Sequence, residues 1–291
     1  MSDALQLEDW GGTGPVLHLA HANGFPPGTY RKLIEQLKPR YHVFTLRSRC
    51  LVPGANPLEM AGWDDMADDL SRALRARGLS GVLGVGHSMG GVATLLASAK
   101  EPDLFRAVVA LDPVLVTGAR LAALRVLTLL GLRSRVPPAS LARRRREVWN
   151  SRDLAWLTYR KKPLFARVDS ETLRDYVAHG LVEQPEGGFR LAIPREWEAR
   201  VFETYARDVW GELRSVKVPT LVIRGSVSGT LTRSALARVR RTLPGALTEE
   251  LPEGTHLFPL EKPEACGKRI LAFLDTVDGA SVSSGGSAHE R

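Results

Sequence analysis

Cysteine is nearly absent: the 291 residues contain two, Cys50 and Cys266, far apart and in no ligand or redox spacing. That excludes a disulfide scaffold and a cysteine-built metal centre, and free thiols suit a reducing compartment. Long apolar runs are missing too. The longest, Leu121 to Leu132, is interrupted by Arg125 and falls short of the roughly 20 residues that span a bilayer. The opening Met1-Ser2-Asp3-Ala4 lacks the basic segment and apolar stretch of a signal peptide, so a cytoplasmic protein without a membrane span is expected. Acidic residues are in deficit, with 32 Asp and Glu against 40 Lys and Arg, a net charge of +8. The deficit is local. Residues 115–210 hold 18 basic and 11 acidic side chains, the densest runs being Arg143-Arg144-Arg145-Arg146 and Arg160-Lys161-Lys162. Such runs read as solvated helix faces or as a rim that draws in anionic substrates. No nucleic-acid motif accompanies them, so no nucleic-acid partner is expected.

What is present is alternation. Val16 to His21, Val43 to Leu46, Val82 to Val85 and Arg106 to Leu111 are short apolar runs of the kind that buried strands use. Helical patterns from Tyr30 to Leu37, Trp63 to Arg77 and Met89 to Lys100 separate them. In the second of these, Asp64 and Asp65 open the helix and Arg75 and Arg77 close it, both favourable to its dipole, and Gly78 supplies the stop. Strand and helix in turn mean an α/β fold with a parallel sheet covered on both faces. From Leu115 to Trp210 the alternation stops, with helical patterns and no clear buried strand. It resumes at Pro219 to Gly225, with a helix near Thr232 to Leu243, an edge strand near Leu247 to Leu251 and a last helix from Pro263 to about Thr276. The expected organisation is a core of residues 1–114 and 211–276, a helical lid of residues 115–210 over the carboxyl ends of the strands, and a disordered tail of residues 277–291 rich in Gly and Ser.

The densest chemical signal is Gly86-His87-Ser88-Met89-Gly90, where a strand pattern turns into a helix pattern. A corner that sharp needs glycine two residues either side of the serine. It holds the hydroxyl out at the carboxyl end of a sheet, above a helix N-terminus that favours developing negative charge. Ser88 is therefore a candidate nucleophile.

With this motif, His-Ala-Asn-Gly-Phe at 21–25, Leu-Asp-Pro at 111–113 and Gly-Thr-His-Leu-Phe-Pro-Leu-Glu at 254–261, the chain resembles the α/β-hydrolase superfamily over nearly all of residues 15–275. The resemblance implies a mostly parallel, eight-stranded sheet flanked by helices, with an inserted lid. It implies Ser88 as nucleophile and His256, after the last strand, as general base, with no cofactor and no metal. The oxyanion hole then combines the Met89 N–H with one from the loop around Gly24, supplied by Asn23 or Phe25, Phe25 being preferred. The triad acid is open. Where many relatives carry it, after the strand ending Ile223-Arg224-Gly225, this chain has Gly229. Some relatives place it after the preceding strand, where Asp112 stands; the alternatives are an acid from the lid or none.

The function expected is a serine hydrolase acting through an acyl-enzyme on a small, fairly hydrophobic ester or related acyl compound, with Leu121 to Leu132 either lining the pocket or packing on the core. Trp149, Trp156 and Trp197 either face that pocket or pack the lid. The alternatives are a specialised biosynthetic member performing C–C hydrolysis, acyl transfer or cyclisation, to which an anionic or carrier-linked substrate would suit the basic lid, and a ligand-binding accessory member weakened by the absence of an acid at Gly229. Oligomeric state does not follow from the sequence.

Overall fold

Strand and helix alternate from the second strand onward in the computed structural model, which describes residues 5–206 and 208–285. First come β1 (Leu7–Gly11), β2 (Val16–Ala20), α1 (Arg31–Leu37), β3 (His42–Leu46), α2 (Asp64–Ala76), β4 (Val82–His87), α3 (Met89–Lys100) and β5 (Phe105–Leu111). The middle of the chain forms α4 (Gly118–Leu129), α5 (Ala139–Arg143), β6 (Val148–Trp149), α6 (Arg152–Arg160), α7 (Ser170–Gly180), β7 (Leu181–Glu183), β8 (Phe189–Leu191), α8 (Arg195–Glu203) and α9 (Val209–Glu212). It ends with β9 (Thr220–Gly225), α10 (Arg233–Thr242), β10 (Leu247–Leu251), α11 (Phe258–Glu261) and α12 (Pro263–Gly285).

The main sheet has the order β1-β3-β2-β4-β5-β9-β10. All its pairs are parallel except β1 against β3. Its strands read as unbroken apolar runs because both faces are covered. In β5, Val108 and Ala110 point into one hydrophobic cluster, with α2 and α3, while Ala107, Val109 and Leu111 point into the other, with α1 and α12. The same period of two sends Leu221 and Ile223 of β9 to one side and Val222 to the other.

Among the described residues this sheet has seven strands, where eight were expected. A single strand, β1, precedes the parallel set, and Gly12 and Gly14, both at positive φ, turn the chain from it directly into β2. Only four residues separate the two strands, too few for another. β1 itself, Leu-Glu-Asp-Trp-Gly, carries no apolar run to announce it.

Two further expectations change. The chain between β5 and β9 is not purely helical: β6, β8 and β7 form a small antiparallel sheet. These strands are two or three residues long, below the length at which periodicity is readable. The last helix does not stop near Thr276 but continues to Gly285, so part of the expected disordered tail is helical; residues 286–291 lie outside the described ones.

Candidate active site

Parallel pairing runs on past the ends of the strands and sets the site. The Ser88 N–H donates to the Leu111 carbonyl at 2.9 Å, and the Asp112 N–H to that of Ile223 at 2.7 Å. One strand further along, the Ser226 N–H reaches the Leu251 carbonyl at 2.9 Å. The loops after β4, β5, β9 and β10 are thus stitched together at the carboxyl edge of the sheet, where open α/β sheets hold their ligands.

Ser88 sits at φ 57°, ψ −119°, between β4 and α3. Few L-residues adopt this conformation, and strain of this kind marks functional corners. It is held by close packing: a Cβ on Gly90 would lie 2.5 Å from the carbonyl oxygens of Ala20 and His21, so only glycine lets α3 approach β2. Asp112 is the second non-glycine residue at positive φ, at 43°, directly after β5.

These two side chains meet through His256. His256 Nδ1 lies 2.7 Å from Asp112 Oδ2, and Nε2 lies 3.0 Å from Ser88 Oγ. A carboxylate only accepts, so Nδ1 carries the hydrogen and Nε2 accepts from the Ser88 hydroxyl. The loop bearing His256 is closed by its own motif: Glu261 accepts from both the N–H and the hydroxyl of Thr255, and the Leu257 N–H donates to the Thr255 hydroxyl. This is why the histidine is followed by glutamate five residues on.

Asp112 is fully buried and well satisfied. Its Oδ1 accepts the Gly225 N–H at 3.0 Å, and its Oδ2 also accepts the Ser228 hydroxyl at 2.6 Å. Ser228 lies in the loop after β9, beside Gly229, whose carbonyl accepts from Arg120. Buried Arg224 braces that loop, donating to the carbonyls of Ser226, Ser228 and Leu231 and pairing with Glu250. Neither Ser228 nor Arg224 has a local signature in the sequence.

The loop after β2 departs from expectation. The Phe25 N–H is occupied, donating to the Ala22 carbonyl at 3.1 Å across a tight turn with Gly24 at φ 78°. A type II turn of this shape needs glycine at its third position and takes up the N–H of its fourth. Among the described residues the backbone N–H groups of Asn23 and Met89 have no acceptor. Buried His21 holds the turn's base: its Nδ1–H donates to the Ala22 carbonyl and Nε2 accepts from Ser48. The far side rests on α8 and α7. Asn23 Nδ2 donates to the Glu198 carbonyl at 3.0 Å, and the Phe25 ring packs on Tyr176, centroids 5.2 Å apart.

Beneath this loop lies an unexpected charge. Arg145, from the basic run, is largely buried, its side chain 14% exposed; it pairs with Glu198 and donates to the hydroxyls of Tyr159 and Tyr176. Arg143 pairs with Glu196 and Glu203, and Arg146 stacks on Trp149 at 4.4 Å. The run is therefore only in part a solvated face: Arg144 and Arg146 are exposed, while Arg143 and Arg145 are partly buried against carboxylates of α8. Trp149 and Trp197 are buried packing residues. α4 buries no residue; its Leu121, Leu124 and Leu129 line an open cleft of about 750 Å³ together with Arg125, Arg133 and Arg200. Among the described residues no three of His, Cys, Asp and Glu converge so as to hold a metal ion, and no helix is long and apolar enough to cross a membrane.

The chain matches the model of the alpha/beta hydrolase family over residues 17–268. It is similar to 2-(acetamidomethylene)succinate hydrolase of Mesorhizobium japonicum, 26% identical over 267 residues, 91% of this chain and 89% of that protein. The crystal structure of E-2-(acetamidomethylene)succinate hydrolase superimposes with a TM-score of 0.74 at 22% identity, covering 92% of this chain and 94% of that one. An esterase from Mycobacterium tuberculosis superimposes with a TM-score of 0.72 at 19% identity, covering 94% and 88%. Structural likeness at such identity speaks for the fold alone, but the family match extends over most of the sequence. This chain belongs to the alpha/beta hydrolase family.

Proposed function

We propose that the protein is a serine hydrolase cleaving a small, fairly hydrophobic ester or related acyl compound through an acyl-enzyme. The observation that carries this reading is the continuous line Asp112 Oδ2, His256 Nδ1, His256 Nε2, Ser88 Oγ, with distances of 2.7 and 3.0 Å. His256 takes the Ser88 proton as the oxygen attacks the acyl carbon; Asp112 keeps the imidazole in the Nδ1–H tautomer and stabilises the imidazolium. The tetrahedral oxyanion is received by the N–H groups of Met89 and Asn23, both without an acceptor among the described residues, with Asn23 in the place first assigned to Phe25. His256 returns the proton to the leaving group, and a water activated by the same nitrogen then releases the acid. The segment of residues 115–210 acts as the lid. Asp112 fills the acid's place, which weighs against a weakened accessory member despite Gly229.

Hydrolysis of p-nitrophenyl acetate, butyrate and octanoate beside a Ser88→Ala variant tests the reading. Activity lost in the variant supports it; equal rates in both overturn it.

One observation favours a second reading, in which the substrate is anionic and its scissile bond an amide. Arg125 in the cleft beneath α4 has no carboxylate partner among the described residues, and burial pulls the Arg133 guanidinium below its ordinary pKa. A carboxylate ligand in the cleft could pair with both guanidiniums and would offset the burial of Arg133. The similar hydrolase from Mesorhizobium japonicum is named for a succinate, a dicarboxylate, that carries an acetamido group. A preference for p-nitrophenyl hemisuccinate over the butyrate, lost in Arg125→Ala, would favour this substrate class.

A further inference from the structure

Three loops must stay in register around Ser88: the one bearing Asn23, the corner itself, and the one bearing His256. A single buried line of hydrogen bonds joins all three. The Ala22 N–H donates to Tyr30 Oη at 3.0 Å, Tyr30 Oη lies 2.7 Å from His87 Nδ1, and His87 Nε2 lies 2.8 Å from the carbonyl oxygen of His256. Tyr30 and His87 are each 1% exposed, so their side chains bond here with little competition from water, and only the His256 end of the line is part-buried.

Every hydrogen in the line has a forced direction. A carbonyl only accepts, so His87 Nε2 carries the hydrogen. A neutral imidazole then presents Nδ1 as an acceptor, so Tyr30 must donate to it, and the phenol oxygen is left to receive the Ala22 N–H. Burial keeps both groups in the forms this needs, pushing the His87 pKa well below the usual histidine range and that of Tyr30 well above the usual phenol range.

We propose that Tyr30 and His87 are positioning residues that set the backbone of His256 relative to Ser88 and tie it to the Asn23 loop; this rests on the serine-hydrolase reading above. The Tyr30 hydroxyl selects the His87 tautomer. Without it, the Nδ1–H form becomes available, and in that form Nε2 turns a lone pair on the His256 carbonyl. The repulsion displaces the backbone that carries the base. The same loss leaves the Ala22 N–H without its acceptor at the root of the Asn23 turn. Ser88 and His256 face each other across 3.0 Å, and a displacement on the order of 1 Å at such a contact lowers turnover by up to about a hundredfold.

The test uses the full chain with Tyr30→Phe, His87→Leu and His87→Gln. Glutamine keeps an N–H near the position of Nε2 and an oxygen to accept from Tyr30. Tyr30→Phe and His87→Leu are expected to lower kcat about tenfold with KM within about twofold, and to slow fluorophosphonate labelling of Ser88 in parallel. His87→Gln recovers most of both. Nitrogen NMR of histidine-labelled protein reads the tautomer independently of any substrate: His87 is a single Nε2–H form in the wild type from about pH 5 to 9 and a mixture in Tyr30→Phe. Unchanged turnover in Tyr30→Phe, or an Nδ1–H tautomer in the wild type, overturns the relay. A wild type that neither hydrolyses esters nor labels at Ser88 overturns the hydrolase reading instead, and the nitrogen spectra then decide the relay by themselves. Should His87→Leu fail to fold, Tyr30→Phe, which removes one oxygen atom, carries the test.

Discussion

Ser228 donates its hydroxyl to Asp112 at 2.6 Å, on the same oxygen that accepts the Nδ1–H of His256 at 2.7 Å. The loop after β9 thus contributes a hydrogen-bond donor to the Asp112 carboxylate, which stands at the end of β5 and is held from two sides.

Ser228→Ala removes one of these donors while leaving the Gly225 N–H and His256 in place. The expected result is a kcat lower by about tenfold, the worth of one hydrogen bond to a charged group, with little change in KM. Steady-state kinetics on the best p-nitrophenyl ester decides it, and an unchanged kcat would make Ser228 a loop residue only.

Asp112→Asn is more severe. An amide at this site can present its N–H to His256 and so select the wrong imidazole tautomer, lowering turnover by about 10⁴. Substrate binding should survive, because the loops that form the site keep their backbone ladder. Full activity in this variant would remove Asp112 from the mechanism.

The ion pair under the Asn23 loop makes a prediction about stability. Arg145→Met leaves the Glu198 carboxylate, 14% exposed, without its cation, a loss of about 1.5–3 kcal/mol. Urea unfolding should show it as a lower midpoint at unchanged slope. Arg145→Met with Glu198→Gln recovers part of it, since the orphaned charge is then gone.

Acid should weaken the fold before it protonates many carboxylates. His18, His21 and His87 are buried neutral, and desolvation lowers all three, His18 to about 3. Unfolded, each binds a proton near pH 6.5 and the folded forms do not. Stability is therefore complete above pH 6.5 and is lost as pH falls from there toward about 3, by up to about 1.4 kcal/mol per group per pH unit. Denaturation midpoints measured between pH 8 and 4 should decline throughout the lower part of that range. A midpoint flat down to pH 4 would contradict it.

How much of this was legible depended on how local each cause is. The corner at Ser88 could be read because a strained turn between strand and helix demands glycine at 86 and 90, and that demand acts over five residues. His256 could be singled out because it stands in a short motif after the last strand, and Glu261 and Thr255 close its loop within that same motif. The parallel strands were visible because burial on both faces leaves continuous apolar runs. β1 and the two- and three-residue strands β6 to β8 were not, since pairing with partners distant in sequence creates them, and little in their own composition does.

The sequence by itself determined the alternating fold, the glycine-flanked corner at Ser88 and the loop around His256, all produced by interactions among residues a few positions apart. Only the tertiary structure decided that Asp112 reaches His256 across 144 positions, that Ser228 joins them, and that Arg145 pairs with Glu198. It also decided that Phe25 spends its N–H on Ala22 and leaves that of Asn23 free. Hydrogen bonds and ion pairs between distant segments depend on where the sheet's order and ladder bring its loops, and that arrangement leaves no periodic trace along the chain.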